Sequence, residues 1–323
     1  MPKKFSRQHR KRKHPTAIQL AALLRTRVTN WLHLSHQPQE LGHKDPGTWN
    51  AVHAAIVEVT EMLNCPAWSS YLVGGTLRDL LIGPDARHQR VQPRDVDIVV
   101  CGATREQLLE LFTKTLVLER PTRFGGLHLT KQLPSGYRVV FDVWALADTW
   151  GFSSKNIPPS IEEFPGTTFM NIDSCAIELW PLPGKPRALF AQGFFEGIAN
   201  GVLDVNYAPN PYPYVCVARA LVIAARLQFA LTRSMAEFIL NHTSTGGVEA
   251  LIEAQQSHYG MVRCDAKELE SWIREIRSQY TAGPGLIKIT VPRARRLELW
   301  RDYPANRDTP DRSASGNRSL TLA

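Results

Sequence analysis

The sequence predicts an α/β (α+β) domain with a mixed β-sheet, followed by a region of helices. Three observations carry this. A double glycine, Gly74-Gly75, closes a short apolar run, Tyr71-Leu72-Val73, and opens a segment of helical spacing, Thr76 to Ile82. Asp95-Val96-Asp97-Ile98-Val99-Val100 has the β-branched content of a strand. After about residue 195 the apolar residues recur at helical spacing.

The elements follow in order. Ile18 to Leu34 reads as a helix with Leu20, Leu24, Val28, Trp31 and Leu32 on one stripe. A Pro- and Gly-containing linker separates it from a second helix, Thr48 to Leu63, on which His53 is expected on a partly exposed face. Thr104 and Gln107 form a capping box ahead of Leu108, Leu109, Leu111 and Phe112. A hairpin is expected to turn at Pro134-Ser135-Gly136, and its second strand alternates Val139, Phe141 and Val143 with Val140, Asp142 and Trp144. A long apolar helix over PYPYVCVARALVIAARLQFAL leads to helices at Ser234–Leu240, Val248–Gln255 and Ala266–Tyr280. The polar, basic end from Pro284 reads as a flexible tail.

Charge is concentrated at one end. The formal net charge is +8, and seven Lys or Arg residues lie before His14, ahead of the first acid, Glu40. Such an arm suits a phosphate backbone, although a solubilising tail or an Arg-rich transit peptide has the same composition. The five cysteines form no Cys-x-x-Cys pair, so the expectation is a reducing, cytoplasmic setting without a zinc site or disulfide framework. No apolar run is long enough to span a bilayer, so no membrane partner is expected.

Candidate chemistry centres on acids. Residues i and i+2 of a strand share a face, so Asp95 and Asp97 would aim at one point and repel unless a cation sits between them. Mg²⁺ is commonly held by one or two carboxylates together with substrate phosphates. Gly74 and Gly75 would let a bulky anion approach the start of the following helix. Each part also has a plainer reading: an ordinary strand-to-helix turn, a solvated strand edge, and a surface pair for Arg78-Asp79. Asp142 is an acid in an apolar strand, either a hydrogen-bonded structural residue or a third metal carboxylate.

The run LVGGTLRDLLIG…RDVDIVV resembles the head of the class II tRNA nucleotidyltransferase and bacterial poly(A) polymerase family. Gly74, Gly75, Arg78, Asp79, Leu80, Gly83, Asp95 and Asp97 match its pattern. The resemblance implies a nucleotidyltransferase palm followed by an α-helical neck. It implies Asp95, Asp97 and Asp142 as catalytic metal ligands for Mg²⁺, and Gly74, Gly75, Arg78 and Asp79 serving the triphosphate. It extends over residues 69 to 240 and is strongest up to Val100.

Further along, the chain departs from the family. Thr168-Phe169-Met170-Asn171-Ile172-Asp173-Ser174 stands where the family has Arg-Asp-Phe-Thr-Ile-Asn-Ala, which puts Asp173 at the ribose-recognising Asn. Asp173 is there either a sugar-hydroxyl acceptor or a structural turn residue. Arg219, Ala224, Ala225, Arg226, Leu227 and Phe229 match the neck helix, with Arg219 a candidate nucleotide-binding residue. Tyr212, Pro213 and Cys216 occupy the places of the base-reading Glu-Asp-x-x-Arg.

The expected organisation is a basic arm and helix at 1–48, a palm at 49–195, a helical neck at 196–282 and a basic flexible tail at 283–323. The expected function is metal-dependent transfer of a nucleotide, from ATP or CTP, to the 3′ hydroxyl of a tRNA-like RNA held by the basic arm. Two alternatives stand beside it: an inactive RNA- or nucleotide-binding module, and a toxin-like enzyme modifying another acceptor.

Overall fold

The computed structural model describes residues 15–33, 46–82, 95–122 and 124–301. The basic arm, Gly83 and the end of the tail lie outside the described residues.

The expected mixed sheet is present. Its first strands are β1 (Ser69–Val73), β2 (Val96–Cys101), β3 (Val117–Pro121), β4 (Leu127–Gln132) and β5 (Arg138–Ala145). Two more are β6 (Cys175–Glu178) and β7 (Leu189–Ala191). The order across the sheet is β3-β4-β5-β2-β1-β6-β7, and β2–β5 is its parallel pair among antiparallel neighbours.

Helices α1 (Ala17–His33), α2 (Pro46–Met62), α3 (Gly75–Ile82) and α4 (Arg105–Phe112) belong to this half of the chain. The capping box read from Thr104 and Gln107 forms as expected. Strand alternation divides the sheet's apolar residues between two faces. Leu72, Ile98, Phe141 and Leu129 join Leu24, Trp31, Ile56 and Phe112 in the main core. Tyr71, Val73 and Val99 point the other way, into a smaller core with Phe152 and Phe164. The short helix α5 (Trp150–Lys155) supplies Phe152.

The second half is helical. After α6 (Phe194–Asn200) and the short β8 (Val202–Leu203) comes α7 (Pro213–Leu227), buried along most of its length. β9 (Ala230–Leu231) pairs with β8, and α8 (Arg233–Tyr259) and α9 (Ala266–Ala282) follow. The two helices expected at 234–240 and 248–255 form one run, broken at Gly247, whose φ is +67°. No helix of the described residues is long and apolar enough to cross a membrane.

Two expectations need correction. The flexible tail read from residue 283 is folded as far as Arg301. Ile287 bridges to Leu231, and α10 (Arg293–Arg301) buries Leu299 while Arg295 pairs with Glu268 and Glu298. Apolar residues spaced through a basic segment escaped a reading based on average polarity. His53, expected on a partly exposed face, is buried and donates its Nε2–H to the Trp31 carbonyl.

Burial, the larger cause, holds the His53 pKa below its ordinary 6.5 against the opposing effect of the Trp31 hydrogen bond. The unfolded chain therefore takes up this proton before the folded one does. The stabilising contribution is complete above pH 6.5 and declines as pH falls toward the folded pKa, by at most about 1.4 kcal/mol per pH unit. Thermal melting between pH 7 and 5 should show a shallower loss for His53→Gln than for the wild type. Equal slopes would remove His53 from the acid response.

Candidate active site

The site is one rung of the sheet. Asp97 of β2 pairs with Asp142 of β5 on one side and with Val73 of β1 on the other. Directly opposite residues share a face, so both carboxylates emerge together from the side carrying the small core. Asp95 precedes β2 by one residue and has the same parity. Its carbonyl accepts a hydrogen bond from Thr76 Oγ1 at 3.2 Å, which ties the strand entrance to the first turn of α3. One ligand oxygen from each of Asp95, Asp97 and Asp142 lies within 4.8 Å of the others, and all three residues are half-buried.

The donor set fits a hard divalent cation. It offers only carboxylate oxygens, converging from two adjacent strands, where like charges repel unless offset. Asp142 lies on the less buried face of β5, so its carboxylate is not enclosed by the strand's apolar side chains.

Sequence reading missed His128. Its Nδ1 lies 2.6 Å from Asp142 Oδ1, and its Nε2 lies 3.7 Å from Glu119 Oε2. Glu119 in turn meets Arg138. The signal was available, because His128 and Asp142 stand symmetrically about Ser135 of the expected turn, and the hairpin pairs them. A ring held between two acids restricts the rotation of the Asp142 carboxylate.

Gly74 adopts φ +72°, and a Cβ built there would lie 2.7 Å from Asp97 Oδ2. The left-handed backbone and the nearby acid independently call for a residue without a side chain here. Gly75 then opens α3.

Arg78 and Asp79 are not on a solvent-facing side of α3, as their polarity suggested; both are buried. Arg78 Nε lies 3.2 Å from Asp79 Oδ1, and its Nη1 lies 2.7 Å from Asp173 Oδ1. The other oxygen of Asp173 meets Arg219 Nη2 at 2.8 Å, and Arg226 Nη2 lies 3.6 Å from Asp79 Oδ1. Asp173 sits on a 3-10 turn, Asn171–Asp173, and Arg219 and Arg226 on α7. Of the expected nucleotide-binding residues, Arg78, Asp79, Asp173 and Arg219 thus form an ion network joining the sheet half to α7. Gly74 and the three acids form the separate metal-like cluster.

At the positions where base reading was expected, Tyr212 is exposed at the N-cap of α7, and Cys216 is buried with its thiol pushed up to about 11, chiefly by that burial. A neutral buried thiol is a weak hydrogen-bonding group, and Pro213 has no donor at all.

No family model matches the chain, and no curated protein matches it. Solved structures do. A tRNA-processing enzyme in apo form is similar at 23% identity over 73% of this chain and 59% of that one, with TM-score 0.48. A tRNA nucleotidyltransferase complexed with a primer tRNA and an incoming ATP analog is similar at 22% identity over 68% and 60%, with TM-score 0.46. A Thermotoga maritima CCA-adding enzyme complexed with tRNA is similar at 20% identity over 79% and 54%, with TM-score 0.47. The chain thus spans less than two thirds of each of these three structures.

Removing Asp173 takes away the carboxylate that Arg78 and Arg219 share, and leaves two cations close together beside Asp79. Asp173→Ala should lower unfolding free energy by about 3 kcal/mol or more in urea titrations. A loss of only a few tenths would mean that solvent already satisfies Arg78 and Arg219. Gly74→Ala should cost about 1–3 kcal/mol from the left-handed backbone alone. It should also weaken Mn²⁺ binding measured by equilibrium dialysis, because the new methyl displaces the Asp97 carboxylate.

Proposed function

We propose that this chain transfers a nucleotidyl group from a nucleoside triphosphate to an RNA 3′ hydroxyl, with release of pyrophosphate. The observation that carries the reading is the convergence of Asp95, Asp97 and Asp142 beside the Gly74 turn. Asp95, Asp97 and Asp142 would hold Mg²⁺, which when bound neutralises charge on the triphosphate and the leaving pyrophosphate.

The chain's own residues supply placement. The Gly74-Gly75 turn would present backbone N–H groups to phosphate oxygens at the start of α3. In the reaction the acceptor oxygen bonds to the α-phosphorus while the bond to the bridging oxygen of the β-phosphate breaks. The hydroxyl proton leaves to a carboxylate of the triad, for which Asp142 is oriented by His128. Arg78, Asp79, Asp173 and Arg219 serve the nucleotide by holding α3 against α7. The palm at 49–195 and the neck at 196–282 would meet at this network, and the basic arm would hold the RNA backbone. ATP and CTP are the triphosphates to test first, and tRNA the first acceptor.

The test is incubation of purified protein with each labelled triphosphate, Mg²⁺ and total tRNA. Transfer to RNA is expected, reduced roughly 10³-fold, about 4 kcal/mol of barrier, in Asp95→Asn, Asp97→Asn and Asp142→Asn. RNA binding without transfer from any triphosphate would leave a binding module. Label on protein rather than RNA would give the acceptor as a polypeptide.

A further inference from the structure

Phe124, Trp150, Tyr207 and Tyr212 come from three separate parts of the chain and form one continuous surface of rings. Phe124 lies in the turn before β4, with its ring centroid 5.9 Å from Trp150 and 5.6 Å from Tyr212. Trp150 lies 6.1 Å from Tyr207, and Lys155 Nζ sits 4.9 Å above the Tyr207 ring. Phe124 is 43% and Tyr212 38% exposed. Rings of this size normally bury, and here two are left open to solvent at the head of α7.

The rings connect to the acid rung through Trp144 of β5. On β5, Trp144 follows Asp142 on the same face. Gly126, two residues after Phe124, lies beside Trp144, where a Cβ would come 2.9 Å from Trp144 Cβ. Trp144 Nε1 also donates to Thr149 Oγ1, immediately before Trp150. At the other end, Tyr212 starts the helix whose Arg219 meets Asp173.

We infer that these rings are a stacking platform for the single-stranded 3′ end of the acceptor RNA, an inference that rests on the proposed transfer reaction. Every base has a π-face, so stacking holds a strand without reading its sequence. That matches a site where Tyr212, Pro213 and Cys216 replace hydrogen-bonding readers of base edges. The row of rings is longer than one base needs, which favours a strand over a mononucleotide, and Lys155 places a cation beside the rings for the sugar–phosphate backbone.

The experiment uses the full chain in EDTA, so that no turnover occurs, and in enough salt to screen the basic arm. A short single-stranded RNA of mixed sequence is titrated by anisotropy and by quenching of tryptophan fluorescence. Binding with quenching is expected, diminished in Trp150→Phe. Phe124→Ala and Tyr212→Ala should each weaken it roughly ten-fold, whereas Phe124→Tyr and Tyr212→Phe should restore it. Thermal melts of the five variants separate lost stacking from lost folding. Unchanged affinity in both alanine variants would overturn the platform, and so would displacement of the RNA from the rings by ATP alone. Ring-dependent binding without transfer from any triphosphate would keep the platform and sink the transfer reading. Transfer with ring-independent binding would do the reverse.

Discussion

Two carboxylates face each other on one rung of the sheet, and the residues around them are arranged to accommodate that. Asp97 and Asp142 face each other across the parallel pair β2–β5, with Asp95 added from the strand entrance. Opposed like charges destabilise a sheet, and that cost persists only where a cation or a proton-bearing partner offsets it. Much else follows from accommodating these acids. Gly74 gives up its side chain to make room for Asp97, His128 turns its Nδ1 toward Asp142, and Thr76 ties Asp95 to α3.

The second constraint is the ion network beneath the glycine turn. Charges removed from water need paired, hydrogen-bonded partners. Arg78, Asp79, Asp173, Arg219 and Arg226 provide them across three elements distant in sequence. The network links the helix that starts beside the acids to the helix that bears Tyr212. Any movement of α7 relative to the sheet therefore disturbs buried charge. The open rings at the head of α7 and the acids on the sheet are held in one frame by it.

Much of this was legible residue by residue. The alternation of Val139, Phe141 and Val143 with Val140, Asp142 and Trp144 appears in the burial of β5. The stripe Leu20, Leu24, Val28, Trp31 and Leu32 is the buried side of α1. Local chemistry, such as the Thr104 capping box, also read true because its partners lie within one turn. Reading failed where polarity stood in for location. His53, Arg78 and Asp79 are polar and buried, and residues 284–301 are basic and folded. In each case a partner far along the chain, or a few spaced apolar residues, decided the outcome.

The amino-acid order by itself determined the local elements, the parity that puts Asp95 and Asp97 on one face, and the hairpin that sets His128 opposite Asp142. These follow from periods of about 3.6 and 2 residues and from turn chemistry, all short-range. Only the tertiary structure decided that β2 lies beside β5 in the register that brings Asp142 to Asp97. It alone decided that Asp173 unites Arg78 with Arg219, and that Phe124 meets Trp150 and Tyr212. Pairing between distant segments is set by how all the apolar faces close on one core, a property of the whole chain that no short window contains.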